Sequence, residues 1–150
     1  MSATSNELEE LHTALSDLVK LYQFRNRDEK LYYGVTVAQA YCLRALWQSG
    51  PLSMRELASA ITVSVSTLTG VVDQLEALGF VKRLVAPGDR RSFQVELTST
   101  GRQLYEKSND EFRKRLRRVA RRYTSEQLAT VRAFLADFSG MVKEWREIPS

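Results

Sequence analysis

A cluster of charged residues surrounds a Pro-Gly pair in the second half of the chain: Lys82, Arg83, Asp89, Arg90 and Arg91. The flanking residues 81–85 and 93–97 alternate in the way typical of two β-strands joined by a tight turn. Arginines on a protruding hairpin suit the narrow minor groove of duplex DNA, where the potential is most negative. Asp89 can hold a neighbouring arginine in one rotamer. A merely solvated turn is the alternative, but the position and sign of the charges favour a nucleic-acid contact.

A second surface with binding chemistry lies on a helix predicted from Ser64 to about Leu78. Four apolar residues at helical spacing are expected to face the core: Val65, Leu68, Val72 and Leu75. The residues then left pointing outward are Ser64, Ser66, Thr67, Thr69, Gly70, Asp73 and Gln74. Hydroxyl groups bind phosphates or base edges, and the positive end of a helix favours a phosphate nearby. The alternative, that Ser64 and Thr67 only cap the helix, stays open.

Local signals predict the elements that position these two surfaces. Leucines at spacings of three and four indicate a first helix over residues 5–28. Capping boxes, in which Ser or Thr and a Glu or Gln three residues later satisfy each other's backbone N–H groups, predict helix starts at Thr36, Ser53 and Thr124. With single N-caps at Ser64 and Thr98, the order becomes four helices, a hairpin and two helices. We therefore predict a mainly α-helical fold with a small β-hairpin, arranged as a winged helix-turn-helix, whose second helix enters the major groove.

These segments resemble the MarR family of bacterial transcription regulators. The matching text is Thr36-Val-Ala-Gln39, Ser53-Met-Arg-Glu-Leu-Ala58, Ser64-Val-Ser-Thr-Leu-Thr69, Val72-Asp-Gln-Leu-Glu76, Gly79-Phe80 and Asp89-Arg-Arg91, followed by Leu97-Thr98 and Gly101. The resemblance implies a homodimer with a winged-helix lobe at about residues 36–100. It also implies a helical dimerisation lobe from about residues 5–35 and 101–147. Members of the family usually repress genes and release DNA when a small molecule binds or a cysteine is oxidised.

The resemblance also implies roles for individual residues. Asp89 matches the positioning acid and Arg91 the minor-groove arginine, while residues 64–74 match the recognition helix. Many members have arginine where this chain has Val65 and Gly70, so a larger share of backbone and shape readout is expected here. The predicted DNA contacts are Arg55, Ser64, Ser66, Thr67, Thr69, Gln74, Lys82, Arg83, Asp89, Arg90 and Arg91.

The terminal helices indicate a dimer independently of the family. The last helix carries an apolar seam at helical spacing, formed by Leu128, Val131, Leu135, Phe138, Val142 and Trp145. Such a seam must be covered by another helix, and a second copy of the chain is the expected cover. A two-fold dimer would bind a pseudo-palindromic operator with recognition helices about 34–36 Å apart.

Other candidate residues receive plainer interpretations. The basic run over residues 113–122 lies roughly 20–35 Å along its helix from the hairpin, so we expect it to pair with Glu7, Glu9, Glu10 and Asp17 or to face water, with an anionic ligand pocket as the lesser alternative. A small aromatic or anionic effector is expected near the aromatics, which are Tyr32, Tyr33, Tyr41, Trp47 and Phe112. Most of these are expected to be core or interface residues. Cys42 is interpreted as a buried inert thiol rather than a redox sensor, and His12 as a surface or interface residue.

Composition excludes several classes of protein. The 150 residues carry a net charge of +4, and residues 81–122 hold 13 of the 22 basic side chains against five acids. One cysteine and one histidine argue against a disulfide framework, a metal site or a bound cofactor. Without a signal peptide, a membrane helix or an enzyme motif, we predict a cytoplasmic, non-enzymatic protein that binds double-stranded DNA and no membrane. A winged-helix module for protein interaction or dimerisation, without DNA binding, is the alternative.

Overall fold

The computed structural model describes residues 4–28 and 34–147, with the side chains at 22–28, 90–91 and 145–147 outside the description. Six helices and three strands follow one another in these ranges: α1 Ser5–Asp28, α2 Val37–Ser49, β1 Leu52–Ser53, α3 Met54–Ile61, α4 Val65–Ala77, β2 Val81–Ala86, β3 Asp89–Leu97, α5 Ser99–Ala120 and α6 Ser125–Glu147. The predicted mainly helical fold with a hairpin is confirmed. The chain forms two compact units, Met1–Ser108 and Asn109–Ser150, so that the division falls within α5.

The predicted helix starts are confirmed by their caps. The Thr36, Ser53 and Thr124 hydroxyls each accept the backbone N–H three residues on, at 3.2–3.3 Å. The Gln or Glu at that position accepts the cap's own N–H at 2.8 Å. Ser64 accepts from the Thr67 N–H at 3.1 Å. Each such cap is worth about 1 kcal/mol, and their positions depend only on local sequence.

The hairpin belongs to a three-stranded antiparallel sheet in the order β1-β3-β2. Val81 pairs with Leu97 and Arg83 with Val95, and the ladder shifts register between Val85 and Ala86. The turn consists of Pro87 and Gly88, and its φ of 82° at Gly88 is accessible to glycine at little cost. Strand β1 was missing from the prediction, because two residues are too few to show any alternation.

The buried core lies between α2, α3, α4 and the sheet. It contains Val35, Cys42, Leu43, Leu46, Leu57, Ala58, Leu68, Val72, Leu75, Val81 and Val95. Three of the four residues predicted to face the core from α4 therefore do so. The prediction for Val65 was wrong, because its side chain is 44% exposed. Val65 is the first residue of α4, and a helical side chain leans toward the helix N-terminus, so this side chain extends past the end of the packed layer.

The helices at the two ends of the chain keep apolar residues exposed. On α6 the exposed set includes Leu128, Val131, Leu135 and Val142, and on α1 it includes Leu8, Leu11 and Leu18. Phe134 and Phe138 stack along α6 with ring centroids 6.1 Å apart. Within the described ranges, no helix has the length and apolar character needed to cross a membrane.

Candidate nucleic-acid interface

The outward face of α4 is polar and carries no Lys or Arg. Ser64, Ser66, Thr67, Thr69 and Gln74 are all exposed, as predicted. The hydroxyls at the start of the helix interact with one another. Ser64 Oγ lies 3.0 Å from Ser66 Oγ and 2.8 Å from Thr67 Oγ1. Ser64 therefore caps the helix, the whole group faces solvent, and the phosphate or base contact of these hydroxyls stays a prediction.

A side-chain hydrogen bond links Gln74 of α4 to α2. The buried side chain of Gln39 donates from Nε2 to Gln74 Oε1 at 2.9 Å, while its own Oε1 accepts the Thr36 backbone N–H. One glutamine thus completes the cap of α2 and links α2 to α4. The sequence signals the cap but not the link, because the two glutamines are 35 residues apart.

Arg83 also joins two elements. Its guanidinium binds Glu76 and donates to Asp73 Oδ1 at 2.5 Å, and its backbone N–H donates to Glu76 Oε1 at 3.3 Å. The hydrogen bond to the Asp73 carboxylate, assisted by the Glu76 charge, raises the pKa of Arg83 above its ordinary value. Two carboxylates of α4 hold this guanidinium, which joins β2 to α4. The DNA contact from Arg83 stays a prediction.

The remaining charged residues of the hairpin lie at both of its ends, with Lys82 distant from the turn and Asp89 directly after it. Lys82 pairs with Glu96 across the strands at 2.8 Å, and Lys82 and Asp89 are both exposed. The backbone of Arg90 and Arg91 lies in β3 directly after the turn, while their side chains fall outside the description. Arg55, the remaining predicted DNA contact, is exposed in the first turn of α3.

Hydrogen bonds join the end of the sheet to the start of α5. Thr98 Oγ1 donates to the Gly79 carbonyl at 2.6 Å and accepts the Gly101 N–H at 3.0 Å. The Thr98 N–H donates to the Phe80 carbonyl at 3.1 Å. A Cβ on Gly101 would stand 1.9 Å from that same carbonyl oxygen. Glycine is therefore required here by the close approach of two backbone segments, which explains why it follows the Leu-Thr pair.

Three of the five aromatics predicted to line an effector site lie among the described residues, and each has its own surroundings. Trp47 packs on Tyr105 of α5 with ring centroids 5.2 Å apart, and its Nε1 lies 3.4 Å from Glu106 Oε1. Tyr41 instead lines a separate open cleft between α2 and α3, together with Arg44 and Gln48. Phe112 is exposed on α5. Tyr32 and Tyr33 lie outside the described residues.

The basic run over residues 113–122 leaves both of its interpretations open, whereas Cys42 and His12 follow the plainer ones. The run is largely exposed, and four of its cations border a shallow surface depression: Lys114, Arg117, Arg118 and Arg121. Cys42 is fully buried, and burial raises the pKa of its thiol to about 12. His12 is exposed on α1, with its ring 3.5 Å from Ser16 Oγ. The described side chains include no cluster of three residues that could hold a metal ion.

This combination of a helix-turn-helix and a cationic β-hairpin on one core defines a winged-helix protein. The MarR family model matches residues 35–93. The transcriptional regulator FarR of Neisseria gonorrhoeae is 30% identical over 105 residues, covering 70% of this chain and 72% of FarR. The chain therefore belongs to the MarR family, a non-enzymatic class of DNA-binding transcription regulators.

Solved structures show the same fold along most of the chain. FabT of Streptococcus pneumoniae, crystallised in complex with DNA, superposes with a TM-score of 0.75 at 15% identity, covering 95% of this chain and 99% of FabT. NadR in complex with 4-hydroxyphenylacetate superposes with a TM-score of 0.59 at 24% identity, covering 92% and 93% of the two chains. At these identities the likeness concerns the fold alone.

Proposed function

We propose that this chain acts in the cytoplasm as a homodimeric repressor that binds a pseudo-palindromic duplex operator. The observation that carries the proposal is the outward face of α4, which presents hydroxyl and amide groups and no Lys or Arg, beside the charged hairpin on one core. A helix of 13 residues is about 20 Å long, and the major groove admits one. The hairpin then faces the flanking minor groove, where an arginine binds the most negative potential.

The contacts of this interface fall into three groups. Ser64, Ser66, Thr67 and Thr69 bind phosphates or base edges from the start of α4, with Gln74 further along the same helix. Arg91 enters the minor groove, with Asp89 restraining it and with Lys82, Arg90 and Arg55 binding phosphates. Arg83 belongs to the same set, and its ion pairs with Asp73 and Glu76 also fix β2 against α4.

The dimer is supported by the exposed apolar seams of α1 and α6. A second copy that covers Leu128, Val131, Leu135 and Val142 removes from water the apolar surface that a single chain exposes. In this arrangement residues 36–100 form the winged-helix lobe, and residues 5–35 with 101–147 form the dimerisation lobe. The two-fold axis places the recognition helices about 34–36 Å apart, one turn of DNA.

A small aromatic or anionic effector fits the same proposal. NadR binds an aromatic carboxylate in its solved complex. In this chain the cleft between α2 and α3 combines the ring of Tyr41 with the cation of Arg44, the two groups that such a molecule requires. An effector there would lie on the helix that supports α4 through Gln39.

The decisive experiment measures duplex binding and its salt dependence. Duplexes selected from a random pool should bind tightly at 50 mM salt, and the affinity should fall by about 10³–10⁵-fold at 200 mM if six to ten phosphates are contacted. Arg91→Ala should weaken binding by about 10- to 100-fold, as expected for a groove arginine. The matched control is Arg117→Ala, which removes the same charge from α5 and should leave the affinity within about twofold, since exposed charges beyond a Debye length are largely screened.

Two outcomes would overturn the proposal. Absence of duplex binding at 50 mM salt would exclude DNA as the partner. Equal losses of affinity in the Arg91 and Arg117 variants would mean that the hairpin adds charge alone and no groove contact. Sedimentation of both variants checks that neither change disturbs the oligomeric state.

A further inference from the structure

One flank of the recognition helix is apolar at its N-terminal end. Val65 is 44% exposed there, and Thr69, four residues on and therefore its neighbour on the helix surface, is exposed as well. Gly70 follows on the outward side, and nothing lies within 4 Å of the place where a Cβ would stand. The helix can therefore come close to whatever it faces at this point.

The polar groups of this region also form hydrogen bonds within the helix. Thr69 Oγ1 donates to the Val65 carbonyl at 2.9 Å, which uses the hydroxyl proton and leaves the γ-methyl group as the apolar part of an exposed side chain. The hydroxyls of Ser64, Ser66 and Thr67 contact one another at 2.8–3.0 Å. Further along the same flank, Asp73 and Glu76 are held by Arg83.

The major-groove edges of the four bases differ in the groups they present. Guanine offers two acceptors that suit the forked donors of arginine, and adenine suits an amide side chain. Thymine alone presents a methyl group, which forms apolar contacts with side chains such as the threonine methyl. Since α4 has no Lys or Arg, its exposed valine and threonine methyl groups match the thymine methyl and not the guanine edge.

We propose that α4 recognises thymine 5-methyl groups in each operator half-site through Val65 and the methyl group of Thr69. Gly70 permits the approach because it places no side chain between the helix backbone and the bases. This inference rests on the proposed function and specifies what its major-groove helix reads. The preference for thymine at these operator positions would then come from apolar contacts and would not require an arginine.

The test replaces thymine by uracil, which keeps base pairing and every groove hydrogen-bonding group but lacks the methyl group. Duplexes selected by the native chain are amplified with either dTTP or dUTP, and the two dissociation constants are compared for the full-length protein. We expect the uracil duplex to bind about fourfold more weakly for each methyl group that the helix buries, the factor given by the transfer of one such group from water.

Matched variants assign the effect to the helix. Val65→Ala combined with Thr69→Ser removes the methyl groups of both contacts and keeps a hydroxyl at residue 69, so this double variant should lose most of the preference for thymine over uracil. Val85→Ala changes the same residue type at 54% exposure on β2 and should keep the full preference. A ratio of two affinities cancels any general loss of folded protein, and thermal unfolding checks that both variants fold.

The outcomes separate this inference from the function on which it rests. Tight binding with equal affinity for thymine and uracil duplexes would overturn methyl recognition and leave the DNA-binding function intact. A preference for thymine that the double variant retains would also overturn it, because the effect would then arise from the DNA itself. Absence of binding to any duplex at 50 mM salt would overturn the proposed function instead.

Discussion

Leu68 on α4 and Leu135 on α6 occupy equivalent places in the apolar stripes of their helices, yet Leu68 is fully buried and Leu135 is 46% exposed. The same contrast separates whole regions. The winged-helix lobe buries leucines from three helices against a small sheet, whereas α1 exposes Leu18 to 60%. The residue type and the helical spacing are alike in both regions, so the difference lies in whether the chain supplies a surface to pack against.

This contrast indicates which region can be stable alone. The core of the lobe is packed by residues of the same chain, including Val35, Leu104 and Tyr105 at its borders, and the described side chains leave no buried polar atom without a hydrogen-bond partner. The terminal helices satisfy their backbone hydrogen bonds, but their apolar seams remain exposed to water. The stability of the lobe should therefore not depend on the protein concentration. The stability of the terminal helices should depend on it, because a second chain is needed to cover their apolar seams.

The largest expected effect comes from a charge in the α6 seam. Leu135→Glu should prevent dimerisation, and operator affinity should fall by about 10²–10⁴-fold, the gain that two linked binding modules provide. Analytical ultracentrifugation and operator titration measure the two losses. Ala133→Glu adds the same charge on another side of α6, where the residue is exposed and outside the seam, and it should remain dimeric. A Leu135→Glu protein that sediments as a dimer would remove the proposed contrast between the regions.

The next effect distinguishes intrinsic from concentration-dependent stability. Leu68→Ala should destabilise the lobe by about 2–5 kcal/mol, as for other buried leucines, and by the same amount at every protein concentration. Leu135→Ala should instead lower the unfolding midpoint only at concentrations where the chain is dimeric, since it weakens the contact between chains, so the midpoint should depend less on concentration. Urea unfolding over a hundredfold range of concentration separates the two cases. Identical concentration dependence in both variants would contradict the distinction.

Two glycines test packing against helix propensity. Gly101→Ala should cost about 3 kcal/mol, the upper part of the range for overpacking, because the new methyl group meets the Phe80 carbonyl. Gly140→Ala, in the interior of α6 with nothing within 4 Å of its Cβ position, should stabilise the protein by about 0.5–1 kcal/mol through helix propensity alone. Thermal or urea unfolding measures both. A Gly101→Ala variant with an unchanged free energy of unfolding would mean that the sheet and α5 pack less closely than described.

The smallest expected effect concerns the thiol inside the lobe. Burial raises the pKa of Cys42 from 9.0 to about 12. The thiol therefore ionises at a higher pH in the folded state than in the unfolded state. Burial of the neutral thiol contributes fully to the free energy of unfolding below pH 9, and this contribution is lost as the pH rises toward 12. At pH 8 an aromatic disulfide reagent should react with native protein no faster than the lobe opens. Ala129→Cys, which places a thiol on the exposed surface of α6, should add one group that reacts at once. Equally rapid reaction of Cys42 would show that the core admits solvent.

Several features of the fold could be predicted from the sequence because they depend on interactions between residues close together in the chain. The Thr36, Ser53 and Thr124 caps depend on residues three positions apart, so the helix starts were predicted correctly. The alternation of residues 93–97 and the Pro-Gly turn likewise identified the hairpin. The prediction failed at Val65, whose exposure depends on where the core ends, and it missed β1, which exists only because Leu52 and Ser53 pair with β3.

The sequence by itself determined the order of the elements, their caps, the charge of the hairpin and the absence of arginine from the recognition helix. Only the tertiary structure decided that Arg83 is held by Asp73 and Glu76, that Gln39 supports Gln74, and that Val65 faces outward. The physical reason is the range of the interactions. Caps and turns form between neighbours along the chain, whereas ion pairs and burial depend on which distant segments the fold brings together.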